Sequence, residues 1–255
     1  MIDDAHIHVG YFNCRKSGGV EYYSPRRVIG VLNRCGVDEF VVSSTSVQAA
    51  GIAARGLLDE AREVKRIAGS RARQLLWVTW ALYESAEWLG LFDSGLYVGI
   101  KLHEQEGHWV EKHYEELLKV LNFASGHHLP VQFHCGPDKH CCPRRLMTLA
   151  RLYPEVRFDF AHCRPMDEMA EVVAECSNVW TDTAFMALDD FERLKRYDWH
   201  GRLIFGTDLP VWQAYEDVGL TRRYRDYVTE FVRTGLTDES YAAFRAFLLV
   251  AKNTI

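Results

Sequence analysis

Eight apolar, β-rich runs recur along this chain, and each gives way to a stretch with helical spacing. The runs are residues 2–9, 39–44, 74–82, 97–103, 130–136, 156–163, 179–185 and 202–210. Their starts lie roughly 20–40 residues apart, the length that a strand–helix unit needs. Most are apolar without interruption, which fits a parallel sheet covered on both faces. Eight such units in 255 residues predict one domain over 1–255, an α/β chain folded as a (β/α)8 TIM barrel. An open doubly wound sheet would usually carry a glycine-rich phosphate loop after an early strand. Neither G-x-G-x-x-G nor G-x-x-x-x-G-K-[ST] occurs.

The stretches 25–36, 109–128 and 165–177 read as helices with one buried stripe. In WVEKHYEELLKVLNFA, apolar residues recur at three- and four-residue steps. Pro165 stands at a helix start with acids in the first turn, where the helix dipole favours them. The segment from Asp238 to Ile255 reads as a closing helix.

Thirty basic and 35 acidic residues leave a net charge of −5, which argues against nucleic acid as a partner. No apolar run approaches the length of a membrane span. Asp3 and Asp4 stand where a secretory leader would carry basic residues. Seven cysteines, with no C-x-x-C among them, predict reduced thiols. The expectation is a cytoplasmic protein with a small-molecule substrate, no nucleic-acid or membrane partner, and room for a homo-oligomer.

Against this apolar frame, ligand-type residues gather at strand ends. His6 and His8 are two apart on the first strand and therefore face one way. His134 ends the apolar part of PVQFHCG, His162 that of VRFDFAHC, and Asp208 that of LIFGTDLP. Lys101 and His103, also two apart, end GIKLH. In a barrel these ends share one mouth. Any one of these histidines alone would read as a satisfied buried polar group. Five strand ends together read as a metal site. Imidazoles with a carboxylate suit zinc, and less exclusively iron, manganese or nickel.

The pieces DAHIH, GIKLH, VQFHCG, FDFAHC, VWTDT and LIFGTDLP, in this order, resemble the amidohydrolase superfamily, in particular the amidohydrolase 2 family of metal-dependent TIM-barrel hydrolases. The resemblance runs from residue 3 to about residue 210. It implies one or two divalent ions at the C-terminal mouth, held by His6 and His8 of the first strand, His134 of the fifth and His162 of the sixth. It implies that Asp208 touches the metal or its water and works as acid and base, with His162 completing the shell or holding the oxyanion. In two-metal relatives a fourth-strand lysine is carbamylated and bridges the ions, and Lys101 is the residue that matches. The chain departs from the pattern at Glu104, where many relatives have proline, and at HCRP, which places Arg164 near the mouth. His103, Arg164 and His140 are expected to meet substrate. Arg164 points to a carboxylate, which guanidinium binds bidentately.

The expected reaction is hydrolysis of a C–N or C–O bond in an amide, lactam, lactone or ester through activated water. The alternative within the superfamily is a non-oxidative decarboxylase, and outside enzymes it is a metal-holding binding protein. Lys101 and the net charge count against a nuclease, and HEQEGH is not the H-E-x-x-H of a zinc protease. His108, His113, His127, His128 and His200 read as solvated. Residues 11–23, YFNCRKSGGVEYY, read as a long loop at the mouth and a candidate lid. Trp212 and Tyr215 read either as pocket wall or as core.

Overall fold

A computed structural model describes residues 2–14, 18–48, 54–214 and 219–248. Nine strands run in chain order: β1 (Ile2–Cys14), β2 (Gly19–Tyr23), β3 (Val37–Ser44), β4 (Ala72–Trp77), β5 (Tyr97–Leu102), β6 (Val131–His134), β7 (Phe158–Ala161), β8 (Val179–Asp182) and β9 (Leu203–Ile204). They form one sheet in the order β2-β1-β3-β4-β5-β6-β7-β8-β9, in which only the β1–β2 pair is antiparallel. Each of the eight apolar runs overlaps one of the parallel strands. The burial is continuous, as in β7 and β8, where every residue is buried, because helices cover the outside and side chains fill the inside.

The seam between β9 and β1 carries no full ladder, yet backbone bonds span it. Ala5 N donates to Phe205 O at 2.8 Å, Asp208 N to His6 O at 2.7 Å, and His8 N to Leu209 O at 2.7 Å. Ile7 and Leu209 form a parallel bridge there. These bonds bring the last strand end against the first and so put Asp208 beside His6 and His8. Asp4 fastens the same seam from within. Its carboxylate accepts from Thr207 N (3.1 Å), Thr207 Oγ1 (2.6 Å) and Tyr224 Oη (2.9 Å).

Most connections are helices whose ends follow local rules. Pro25–Cys35 starts at Ser24, whose side chain accepts from Arg27 N, and stops at Gly36 in the left-handed region. Tyr114–Gly126 and Met166–Glu175 fall inside the stretches read as helical, with Pro165 as the cap of the second. Thr237–Leu248 is the closing helix as far as the described residues reach. Its Phe244 and Phe247 pack with Ala5, Val41, Leu75, Trp180 and Ile204 of five strands.

Three local readings differ. The run 74–82 is strand only to Trp77, because Thr79 caps a short helix, Trp80–Glu84, by accepting from Leu82 N. The connection after β8 is a 3-10 helix, Leu188–Arg196. The stretch 11–23 is an antiparallel hairpin rather than an irregular loop: Gly10 pairs with Tyr23 and Cys14 with Gly19, and residues 15–17 lie outside the described residues. Gly10 permits the bend, since φ is +108° and a Cβ there would fall 2.5 Å from Ser46 Oγ.

Candidate metal centre

His6 and His8 lie on one face of β1, and their Nε2 atoms are 3.2 Å apart. The second nitrogen of each ring is already engaged. His6 Nδ1 meets Asp182 Oδ2 at 2.7 Å, and His8 Nδ1 meets Ser43 Oγ at 2.9 Å and Ser43 O at 3.3 Å. Acceptors at Nδ1 place the proton there and leave the Nε2 lone pairs free, the orientation that metal-binding imidazoles take. Asp208 Oδ1 completes the group, 3.0 Å from His8 Nε2 and 3.7 Å from His6 Nε2. Ligands about 2.0–2.1 Å from one zinc ion lie roughly 2.9–3.4 Å from each other at tetrahedral or octahedral angles. The 3.2 Å and 3.0 Å separations fall in that range and the 3.7 Å one lies just outside it, so His6, His8 and Asp208 fit a divalent ion once Asp208 closes slightly on His6.

Asp182 holds the centre from behind. Its Oδ2 orients His6, while its Oδ1 accepts from His162 N (2.8 Å) and Ala184 N (2.9 Å). Gly206 makes room for this pair, because a Cβ there would lie 3.1 Å from the Cβ atoms of both Asp182 and His6. Asp182 was quoted within VWTDT but not placed among the site residues. Its only sequence signal is an acid at the end of an apolar strand.

His162 and His134 form a second pair. His162 Nδ1 faces Ala184 O at 3.1 Å, so its Nε2 carries the lone pair, which lies 2.9 Å from His134 Nδ1. A ligand nitrogen of His162 falls within 4.8 Å of His6 and Asp182. His134 stands one step further out and stacks on His103 with ring centroids 3.8 Å apart. The structure thus joins His6, His8 and Asp208 directly, sets His162 beside them, and links His134 through His162.

Lys101 is 1% exposed at the heart of the site. Its Nζ donates to Gln132 Oε1 at 3.1 Å and lies 3.1 Å from His6 Nε2. Gln132 has no freedom to turn: its amide nitrogen donates to Ala5 O (3.1 Å) and Asp159 Oδ2 (2.8 Å), which aims the oxygen at Lys101. Gln132 and Asp159 carry no motif and were missed in the sequence.

Burial dominates the electrostatics. It pushes His8 down to about 4 against the pull of Asp208, and His162 down to about 3. His103 and His134 are pushed well below the usual imidazole value by burial and neighbouring cationic groups. Burial also lowers Lys101 to about 8, although Asp182, Asp208 and Asp159 pull it back. For Asp208, burial favours the neutral acid, but the neighbouring His8, His6 and His162 rings outweigh it and hold the carboxyl well below the usual range. Burial thus favours neutral imidazoles at His8 and His162 beside an ionised Asp208 carboxylate, the protonation state that metal binding requires.

A cavity of about 490 Å³ opens over these groups. Phe12, Trp77 and Phe185 form its aromatic walls, and Arg164 lines it. Among the described residues, no hydrogen-bond partner faces Arg164 Nε. His103 lines the cavity too, stacked between Trp77 and His134, and its buried Nδ1 has no partner among the described residues. His140 is not part of the lining; its Nε2 faces Glu111 Oε1 at 4.0 Å. Of the candidate lid, Phe12 and Asn13 reach the cavity. Trp212 is 3% exposed and stacks on Tyr227, so it is core, and Tyr215 lies outside the described residues.

A parallel α/β barrel with histidines and an aspartate converging at its C-terminal mouth defines the class of barrel enzymes that work on small molecules around such a centre. The sequence model of the amidohydrolase family, Amidohydro_2, matches residues 4–239, and the chain belongs to that family. No curated protein matches the sequence. Among solved structures, the chain is similar to a probable 2-pyrone-4,6-dicarboxylic acid hydrolase from Acinetobacter baumannii with citric acid bound, at 14% identity and a TM-score of 0.65, covering 98% of this chain and 96% of that one. It is also similar to amidohydrolase 2 from Bifidobacterium longum subsp. infantis (15% identity, TM-score 0.63, 96% and 98% covered). A third similar structure is IDCase from Metarhizium anisopliae in apo form (12%, TM-score 0.61, 97% and 97%). At these identities the likeness concerns the fold.

Proposed function

We propose that this amidohydrolase-family enzyme is a zinc-dependent hydrolase that opens a C–N or C–O bond (amide, lactam, lactone or ester) in a small substrate bearing a carboxylate. The observation that carries the reading is the three-atom group His6 Nε2, His8 Nε2 and Asp208 Oδ1 beneath a cavity lined by Arg164, whose buried Nε has no partner among the described residues. His6, His8 and Asp208 would hold the ion, which when bound supplies Lewis acidity and eases the deprotonation of water. Asp208, ionised and backed by His8, takes up the proton and returns it to the leaving group. His162, fixed by Ala184 O and His134, stands by the reacting oxygen. Arg164 fastens the substrate carboxylate and so orients the bond to be broken.

For Lys101 the free amine is the favoured form and one ion the favoured count at this centre. Its Nζ is already committed to Gln132 and stands beside His6. Seven free thiols suit a reducing compartment such as the cytoplasm.

A panel of lactones, cyclic amides and aromatic acids, assayed with zinc present, tests the reading. Ring opening with release of an acid supports it. Carbon dioxide release without ring opening would overturn it in favour of a decarboxylase.

A further inference from the structure

We propose that the barrel rim carries a second divalent-cation site, formed by His108, Glu111 and His140 above the buried carboxylate of Glu104. It shares no residue with the centre on the barrel axis and does not depend on what that centre catalyses.

The site is built from the inside out. Glu104 is 3% exposed, and its two oxygens accept from Val110 N (2.7 Å) and Glu111 N (3.0 Å). Those bonds wrap the turn around the carboxylate and bring the His108 and Glu111 side chains together. His108 Nδ1 lies 3.0 Å from Glu111 Oε2, and ligand atoms of Glu104, His108 and Glu111 all fall within 4.8 Å of one another. His140 arrives from the next connection, with Nε2 4.0 Å from Glu111 Oε1. Two ligands of one ion about 2.1 Å from it sit at most ~4.2 Å apart, so Glu111 is within reach of sharing an ion with His108 and with His140, and the His140 ring must swing inward for all three to hold the same one.

The charges call for a cation. Two carboxylates stand close together, one of them out of water, and like charges in that setting repel. Two imidazoles give directional ligands but, when neutral, no compensating charge. An imidazole–carboxylate set favours zinc, nickel or copper over calcium and magnesium, which prefer oxygen alone. The side chains are open to the ion, with His140 25%, Glu111 40% and His108 45% exposed. His108 and Glu111 follow β5, His140 follows β6, and Gln105 and Glu106 of the first connection line the cavity. A bound ion would therefore tie two connections of the cavity rim together.

The test uses the full chain and zinc alone. In His6→Ala/His8→Ala protein the axial centre is removed, and equilibrium dialysis is expected to retain one zinc per chain. Adding His108→Gln and His140→Gln should weaken that zinc by at least about 10-fold, since even losing a group behind a ligand costs this much. Excess calcium should not displace it. Zinc binding unchanged by the two rim substitutions, or no zinc on the His6→Ala/His8→Ala protein, would overturn the proposal. If that background does not fold, the comparison moves to the otherwise unaltered chain. There the rim substitutions must lower the zinc count by one, and an unchanged count would overturn it equally.

Discussion

His6 Nδ1 and Asp182 Oδ2 lie 2.7 Å apart across 176 positions of sequence, both almost wholly out of water. This pair decides which nitrogen of His6 is free. Because the carboxylate holds the Nδ1 proton, Nε2 faces His8 and Asp208 with its lone pair.

Asp182→Asn keeps the size and one acceptor oxygen, which backbone N–H groups of His162 and Ala184 will claim. Its amide nitrogen then faces His6 Nδ1 and turns the ring to the wrong tautomer. Zinc affinity should fall about 10–100-fold, the usual loss when a group behind a metal ligand is changed. Competition with a chelating dye measures this, and unchanged affinity would remove Asp182 from the centre.

Asp208 touches both first-strand imidazoles and is also the proposed proton carrier. Asp208→Asn retains an oxygen for the ion but not the base. Turnover is expected to drop by about 10²-fold or more, the scale of general-base catalysis, with a smaller loss of bound zinc. Rate and metal content on the same preparation separate the two roles. If activity falls only in step with lost metal, Asp208 is a ligand and no more.

Much of this centre was legible because of one physical regularity. Apolar runs made the strands visible, and a polar residue at the end of such a run stands out. His6, His8 and Asp208 were found that way. Asp182 stood at an equally visible end, but its role depends on spending both oxygens on other groups, which leaves no pattern in the chain. Gln132 looked like an ordinary strand residue, since only its hydrogen bonds aim it at Lys101. His140 shows the opposite failure. It was expected to meet substrate, whereas the turn of the connection carries its ring to Glu111. Strand register follows from alternation, while the path of a connection depends on packing that no local pattern encodes. The hairpin at 11–23 was hidden for a related reason: its outer strand, GVEYY, is mostly exposed and lacks an apolar run.

Arg164 is expected to select acids. Arg164→Met removes the guanidinium and keeps much of the length. For a substrate with a carboxylate, KM should rise roughly 10- to 100-fold, in line with the loss of a hydrogen-bonded charge pair. The corresponding methyl ester should be affected far less. Equal effects on acid and ester would show that Arg164 only supports the wall.

In the metal-free protein the buried histidines weaken the fold as the pH falls, while the buried Asp4, raised to about 7 by burial, works the other way. Burial holds His8 near 4 and His162 near 3, below the ordinary value of 6.5, and depresses His103 and His134 as well. Between about pH 6.5 and pH 4 the unfolded chain takes up histidine protons that the folded chain refuses, so the share of stability these imidazoles carry declines as the pH falls, while Asp4, which takes its proton near 7 in the fold, adds stability over the same fall. At pH 5.5 each such histidine removes on the order of 1 kcal/mol. Urea unfolding at pH 7 and pH 5.5, with chelator present, reads the slope. In Asp4→Asn protein, where the opposing group is gone, the midpoint should fall at pH 5.5, and one that does not move would show these imidazoles to be protonated in the fold.

Strand β1 carries the two imidazoles and then, past the bend at Gly10, Phe12 and Asn13 of the cavity wall. Reactivity and selectivity are thus arranged in series along a single ribbon. A residue inserted before Gly10 would turn one or both imidazoles away from the axis and abolish the centre. Lengthening the hairpin beyond Cys14 would reshape the entrance and leave the ligands in place. The inner half of the strand is closed to variation in length, and the outer half is the part of this fold on which new substrate ranges can be built.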